Sequence, residues 1–184
     1  QEQALQSIFA VQSAMINQCE RLANRFAVFD TPVLHNPIRV MKWRERFDTK
    51  YAALYYPRIE MINPEDPRGL SSILIPPSGH IAGSYVECDV KEGIFRAPAN
   101  KFIAGIVGVE HIVDNEVYEM FYPKGINCMK YVPGRGVKVW GARTLSSDPV
   151  WRYINVRRTF SVIREAIKNG TGWAVFEPNT PGLR

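Results

Sequence analysis

The sequence is poor in the residues that build reactive sites. It holds three cysteines and three histidines among 184 residues. Cys19, Cys88 and Cys128 lie far apart, are odd in number and form no C-x-x-C pair. Neither a zinc site nor a disulfide framework is encoded, and three reduced thiols are expected. His35, His80 and His111 stand singly, with no H-x-x-x-H spacing to set two imidazoles on one helix face, so no metal site is expected. Gly134, Gly136 and Gly141 do not make G-x-G-x-x-G, and no G-x-x-x-x-G-K-[ST] occurs, which removes the two commonest phosphate cradles. A G-x-S-x-G nucleophile elbow is missing as well. Ser78-Gly79-His80 brings a hydroxyl and an imidazole close in sequence, but neighbouring helix positions point about 100° apart, so Ser78 reads better as a helix cap. No apolar run approaches the ~18 residues of a membrane span. Phe102 to Val109 is broken by Gly105 and Gly108. The first residues carry Glu2 in an amphipathic pattern, unlike the basic start and apolar centre of a secretory signal.

What is present is an ordinary globular composition, 46% hydrophobic and 22% charged, in a length that suits one domain or one and a fraction. The net charge of +5 is unevenly placed. From 130 to 168, nine Lys and Arg face only Asp148 and Glu165, a surplus of seven, so the other 145 residues sum to −2. A two-signed molecule can attract its own copies, basic end to acidic body, or hold an anionic partner.

Apolar periodicity predicts a helix over 3–22, a strand over 25–29, a helix opened by Pro37 and running to about Phe47, and a strand over 51–56. Strand, helix, strand in about thirty residues is a βαβ unit and predicts parallel pairing. The two prolines, one glycine and three charges of 62–70 predict a surface loop. Ser78 would cap a helix reaching about Asp89. Residues 103–109 read as a strand or buried segment, 114–121 as a short helix, and 126–131 and 137–140 as strands around Pro133-Gly134-Arg135-Gly136. Ser147-Asp148-Pro149 starts the last helix, Gly170 ends it, and Val156, Phe160, Ile163 and Ile167 form one stripe. A final strand is predicted over 173–176. The fold class is α/β, a mixed or parallel sheet flanked by helices.

Arg152, Arg157, Arg158, Arg164 and Lys168 occupy the other faces of that last helix. Three uses are open: a solvated or intramolecular face, a subunit contact suited to guanidinium geometry, or a nucleic-acid surface in which Trp151 and Tyr153 stack on bases.

A set of short strings is more specific. In order they are Lys50-Tyr-Ala-Ala-Leu-Tyr-Tyr-Pro57, Pro76-Pro-Ser-Gly-His-Ile-Ala-Gly83, Gly93-Ile-Phe-Arg-Ala-Pro-Ala-Asn100, Gly125-Ile-Asn127, Pro133-Gly-Arg-Gly-Val-Lys-Val-Trp-Gly-Ala-Arg-Thr-Leu-Ser-Ser147, Trp151-Arg-Tyr-Ile-Asn-Val-Arg-Arg158 and Phe176-Glu-Pro-Asn179. Over roughly 25–179 the chain resembles the tail sheath proteins of contractile phages and related tail-like injection particles. The resemblance implies a subtilisin-like α/β core without a catalytic triad, followed by a C-terminal sheath domain. Residues 1–142 would be the end of that core and 143–184 the start of the next domain. It implies a virion tail subunit, assembled in the host bacterial cytoplasm. Such a subunit packs with copies of itself in sixfold rings and a helical sheath. It also meets the tail tube, baseplate and tail terminator proteins, and it contracts to drive the tube through a target envelope. Arg143, Arg152, Arg157, Arg158 and Arg164 become candidate subunit contacts. No catalytic residue, cofactor, metal, nucleic acid or membrane insertion is expected.

Family members run well beyond this length. With no initiator Met and an end at Arg184, the chain is expected to be a protease-resistant piece of a longer protein. The competing reading is an α/β nucleotide-binding domain or enzyme, which requires a deep pocket with convergent polar groups.

Overall fold

The computed structural model describes residues 2–177. Helix α1 (Glu2–Leu22) is followed by β1 (Ala27–Asp30), α2 (Pro37–Arg44) and β2 (Ala52–Tyr56). The crossover unit is present, with Ala27 to Asp30 paired in parallel with Ala52 to Tyr55. Pro37 takes the first helical turn as expected, and the Asn36 side chain accepts from the Ile38 N–H ahead of it.

Strand β6 (Ile126–Val132) adds in parallel to β2, and β7 (Gly136–Trp140) turns back antiparallel to β6, giving the order β1-β2-β6-β7. All five residues of β2 are buried, as a central strand covered on both faces requires. Ala52, Leu54 and Tyr56 face a core with Phe29, Trp43, Phe47 and Phe121; Ala53 and Tyr55 face a second core with Ile81, Met129, Val139 and Ile154. Several buried polar groups are matched across these layers. Trp43 Nε1 donates to Gln12 Oε1, Gln12 Nε2 donates to the Asp30 carbonyl, and the Tyr55 and Tyr85 hydroxyls meet at 2.7 Å.

A second, antiparallel sheet has the order β4-β3-β5, from β3 (Ile59–Ile62), β4 (Ser72–Ile75) and β5 (Ile106–Val109). The loop expected over 62–70 is the β3–β4 connection, closed by Asp66, whose carboxylate accepts from Arg68, Leu70 and Ser71.

Helices α3 (Ser78–Lys91), α4 (Asn115–Phe121) and α5 (Ile154–Gly170) complete the layers, with short 3-10 turns at Pro149–Trp151 and Gly172–Phe176. The last of these corrects the expected strand over 173–176. Apolar composition favours a strand there, but among the described residues no strand pairs with it, and Trp173, Val175 and Phe176 stand exposed on a 3-10 turn. Of the string 176–179, residues 178 and 179 lie outside the described residues.

Helix α3 begins where expected but is capped differently. Pro77 holds the cap position without a side-chain bond, and the Ser78 N–H donates instead to Asp30 Oδ1 at 2.8 Å, across 48 positions. Burial pushes the Asp30 carboxyl above its usual range, against the lowering effect of its Ser78 hydrogen bonds. Asp30→Ala is therefore expected to cost about 1–2 kcal/mol in urea unfolding, and Asp30→Asn clearly less, since it keeps an acceptor without a desolvated charge.

Candidate functional site

The route from the sheet to α5 is tightly stitched. Asn127 on β6 accepts from the Arg143 N–H through Oδ1 at 2.8 Å and donates through Nδ2 to the carbonyls of Arg143 and Leu54. Gly141 lies so close that a Cβ there would stand 2.7 Å from Asn127 Oδ1. Leu145 donates its N–H to the Ala52 carbonyl and is fully buried. Thr144 Oγ1 donates to the Trp151 carbonyl, and the Ile154 N–H donates to Ala142. Helix α5 thus leaves the core from a fixed base.

The five candidate arginines have different surroundings. The Arg143 guanidinium lies 3.9 Å from the Tyr122 ring centroid. Arg152 is half-buried and lines a cleft of about 320 Å³ with Arg44, Asp48, Lys124 and Arg143. That cleft is largely self-satisfied. Arg44 donates to the carbonyls of Phe47, Leu145 and Lys124, and Asp48 accepts from both Ser147 groups, which hold its carboxyl below the usual range. Arg157 is only 6% exposed, its guanidinium 4.8 Å from the Tyr51 ring and 4.6 Å from the Trp151 ring. Arg158 pairs with Asp89 of α3 and lies 4.8 Å from the Tyr85 ring. Arg164 is exposed.

Arg157 and Arg158 therefore turn inward, while most of the apolar stripe turns outward. Phe160 is 51% exposed, Ile163 46% and Ile167 60%. The usual expectation that a charged helix face is the solvated one is reversed at Arg157 and Arg158, though not at Arg164. The physical reason is local: Tyr51, Trp151 and Tyr85 offer aromatic faces to two guanidiniums, and Asp89 supplies the counter-charge.

The thiols match no nucleophile site. Cys19, Cys88 and Cys128 are free and buried, and burial pushes the Cys128 thiol up to about 12, far from the thiolate form. The histidines depart from the sequence reading. His35 and His111 do not stand singly in space: Nδ1 of one lies 2.8 Å from Nε2 of the other, and Glu110 Oε1 lies 3.9 Å from both nitrogens. A spacing rule confined to one helix does not detect a pair formed by two loops 76 positions apart. His80, on α3, borders a different groove with Phe102.

The arrangement is an α/β core from which an anchored helix, α5, turns an apolar stripe outward. The chain belongs to the phage tail sheath protein central domain family, whose pattern matches residues 5–145. It is 29% identical over 170 residues to a putative prophage major tail sheath protein of Pseudomonas aeruginosa, covering 90% of this chain and 43% of that protein. Among solved structures, it is similar to a chain of the six-fold symmetrised anti-feeding prophage baseplate, with TM-score 0.78 and 34% identity over 94% of this chain and 44% of that one. A chain of the contracted sheath complex of the extracellular contractile injection system PVC gives TM-score 0.73 and 34% identity, over 84% of this chain and 43% of that one. The chain spans less than half the length of these relatives.

Proposed function

We propose that this chain is part of a contractile tail sheath subunit, which polymerises around a tail tube and contracts to drive the tube through a target envelope. The observation that carries this reading is the agreement between the family match over residues 5–145 and the likeness of the core to sheath and baseplate chains at 34% identity. The role is mechanical and needs no catalytic residue. Its partners are copies of itself in sixfold rings, with tube, baseplate and terminator proteins at the inner face and ends.

Within that subunit, residues 1–142 form the end of the core domain and 143–184 the start of the C-terminal domain. The outward stripe of α5 supports this division, because it supplies the inner apolar face that a second domain needs. The candidate subunit contacts then divide. Arg164, exposed on α5, meets a neighbouring copy directly, and Arg152 does so from the rim of the cleft. Arg143, Arg157 and Arg158 act by fixing the base from which the helix projects.

Negative-stain microscopy of the full-length protein tests the reading. Tubes of uniform diameter are expected, and dispersed particles under all assembly conditions would overturn it.

A further inference from the structure

We propose that His35, His111 and Glu110 form a three-ligand site for a divalent transition-metal ion of the zinc type. The site is independent of the sheath reading. Its three donors come from two connections: His35 follows β1 of the four-stranded sheet, and Glu110 and His111 follow β5 of the three-stranded one. His35 Nδ1, His111 Nε2 and Glu110 Oε1 make a triangle with sides of 2.8, 3.9 and 3.9 Å. The point equidistant from all three lies about 2.1 Å from each, which is the Zn–N and Zn–O bond length.

The chemistry of the donors agrees with the geometry. Two imidazoles and a carboxylate suit zinc, nickel, copper or cobalt better than the oxygen-seeking calcium or magnesium. Glu110 is ionised at neutral pH, because the Arg58 guanidinium paired with it, above all, holds its carboxyl below the usual range. Arg58 Nε donates to Oε2 at 3.0 Å, and its other nitrogen takes one side of Oε1. The second lone pair of Oε1 is left for an ion, and the fork sets the carboxylate as outer-shell partners of metal sites do. The His35 side chain is 66% exposed, so an ion has an open path and a water can complete the coordination. The two nitrogens lie within hydrogen-bond distance, and an ion takes both as lone-pair donors when each ring carries its proton on the other nitrogen. Tetrahedral binding needs them to part by about 0.5 Å, a small rotation for partly exposed rings. An ion held there would tie the loop after β1 to the end of β5, and so one sheet to the other.

The test uses the 184-residue chain, freed of metal by chelation. Titration with Co2+ is expected to give d–d absorption that saturates at one ion per chain and disappears when Zn2+ is added. Calorimetry with Zn2+ is expected to give the same stoichiometry with micromolar or tighter affinity. His35→Ala, His111→Ala and Glu110→Gln should each weaken binding by about 100-fold or more, while His80→Ala leaves it unchanged. Zn2+ should also raise the Tm of the parent chain but not of the His35 variant. Circular dichroism of each variant separates loss of ligand from loss of fold, and Glu110→Gln, the mildest change, serves where an alanine variant unfolds. Absence of stoichiometric binding, or binding that survives loss of both His35 and His111, overturns the proposal.

Discussion

Replacement of Asn127 by leucine is expected to destabilise the chain by about 3 kcal/mol or more. The side chain is 1% exposed and serves three backbone groups at once: the N–H and carbonyl of Arg143 and the carbonyl of Leu54. Leucine repeats the branching at Cγ but is the larger side chain, so no cavity forms and overpacking against Gly141 adds to the loss. What is lost is the polar match, and each buried group left without a partner costs about 1–3 kcal/mol. Asn127→Asp separates the terms. It keeps the acceptor for Arg143 but loses both donors and sets a negative charge against two carbonyl oxygens, so it should be at least as damaging at neutral pH and partly rescued on acidification, when the carboxyl becomes a donor. Urea unfolding should show a lower midpoint with an unchanged slope. A loss under about 0.5 kcal/mol would mean that Asn127 does not anchor the route to α5.

The second large effect concerns assembly. Glutamine at both Ile163 and Ile167 is expected to leave the 184-residue chain within about 1 kcal/mol of its original stability, because both side chains are largely exposed and glutamine is a good helix former. In the full-length protein the same pair of changes should suppress tube formation. Under the proposed domain division the stripe is covered by the remainder of the C-terminal domain, and each buried isoleucine contributes about 1.5–3 kcal/mol. Melting curves of the short chain and negative-stain images of the long one check the two halves. If the short chain dimerises and the glutamines make it monomeric, a second copy is the occupant of the stripe; if tubes form normally, the stripe is not buried in assembly.

How much of this is legible in the sequence depends on the range of the contacts involved. The β1–α2–β2 crossover can be read because its signals are local: a turn at Asp30-Thr31-Pro32, Pro37 in a first helical turn, and an apolar strand on each side. Strand β3 is harder, since Glu60 interrupts a four-residue element whose partners, β4 and β5, come later in the chain. The period of α5 is plain, but periodicity identifies a stripe and does not say what covers it. The inward course of Arg157 needs Tyr51, about a hundred positions earlier, to be placed first. The cap on α3 has the same character. Ser78 satisfies the local rule for a cap, yet Asp30 performs that task from another strand. The His35–His111 pair is invisible to any spacing rule, because it depends on two connections from different sheets being brought together.

The way α5 is rooted has a mechanical side. Ile154, Arg157 and Ser161 are its buried residues, and none from 162 to 170 is buried within the described residues. The helix is a cantilever: its first two turns are clamped and the rest, about 14 Å at 1.5 Å per residue, projects from the clamp. A tilt of about 10° at the root would carry the tip about 2 Å sideways, while the clamped turns move by a fraction of that. Force applied to the tip by another body is thus delivered as torque on a few contacts, the aromatic clasp around Arg157 and the Arg158–Asp89 strut. The stiffness of those contacts sets how faithfully a rotation outside the core is passed into it.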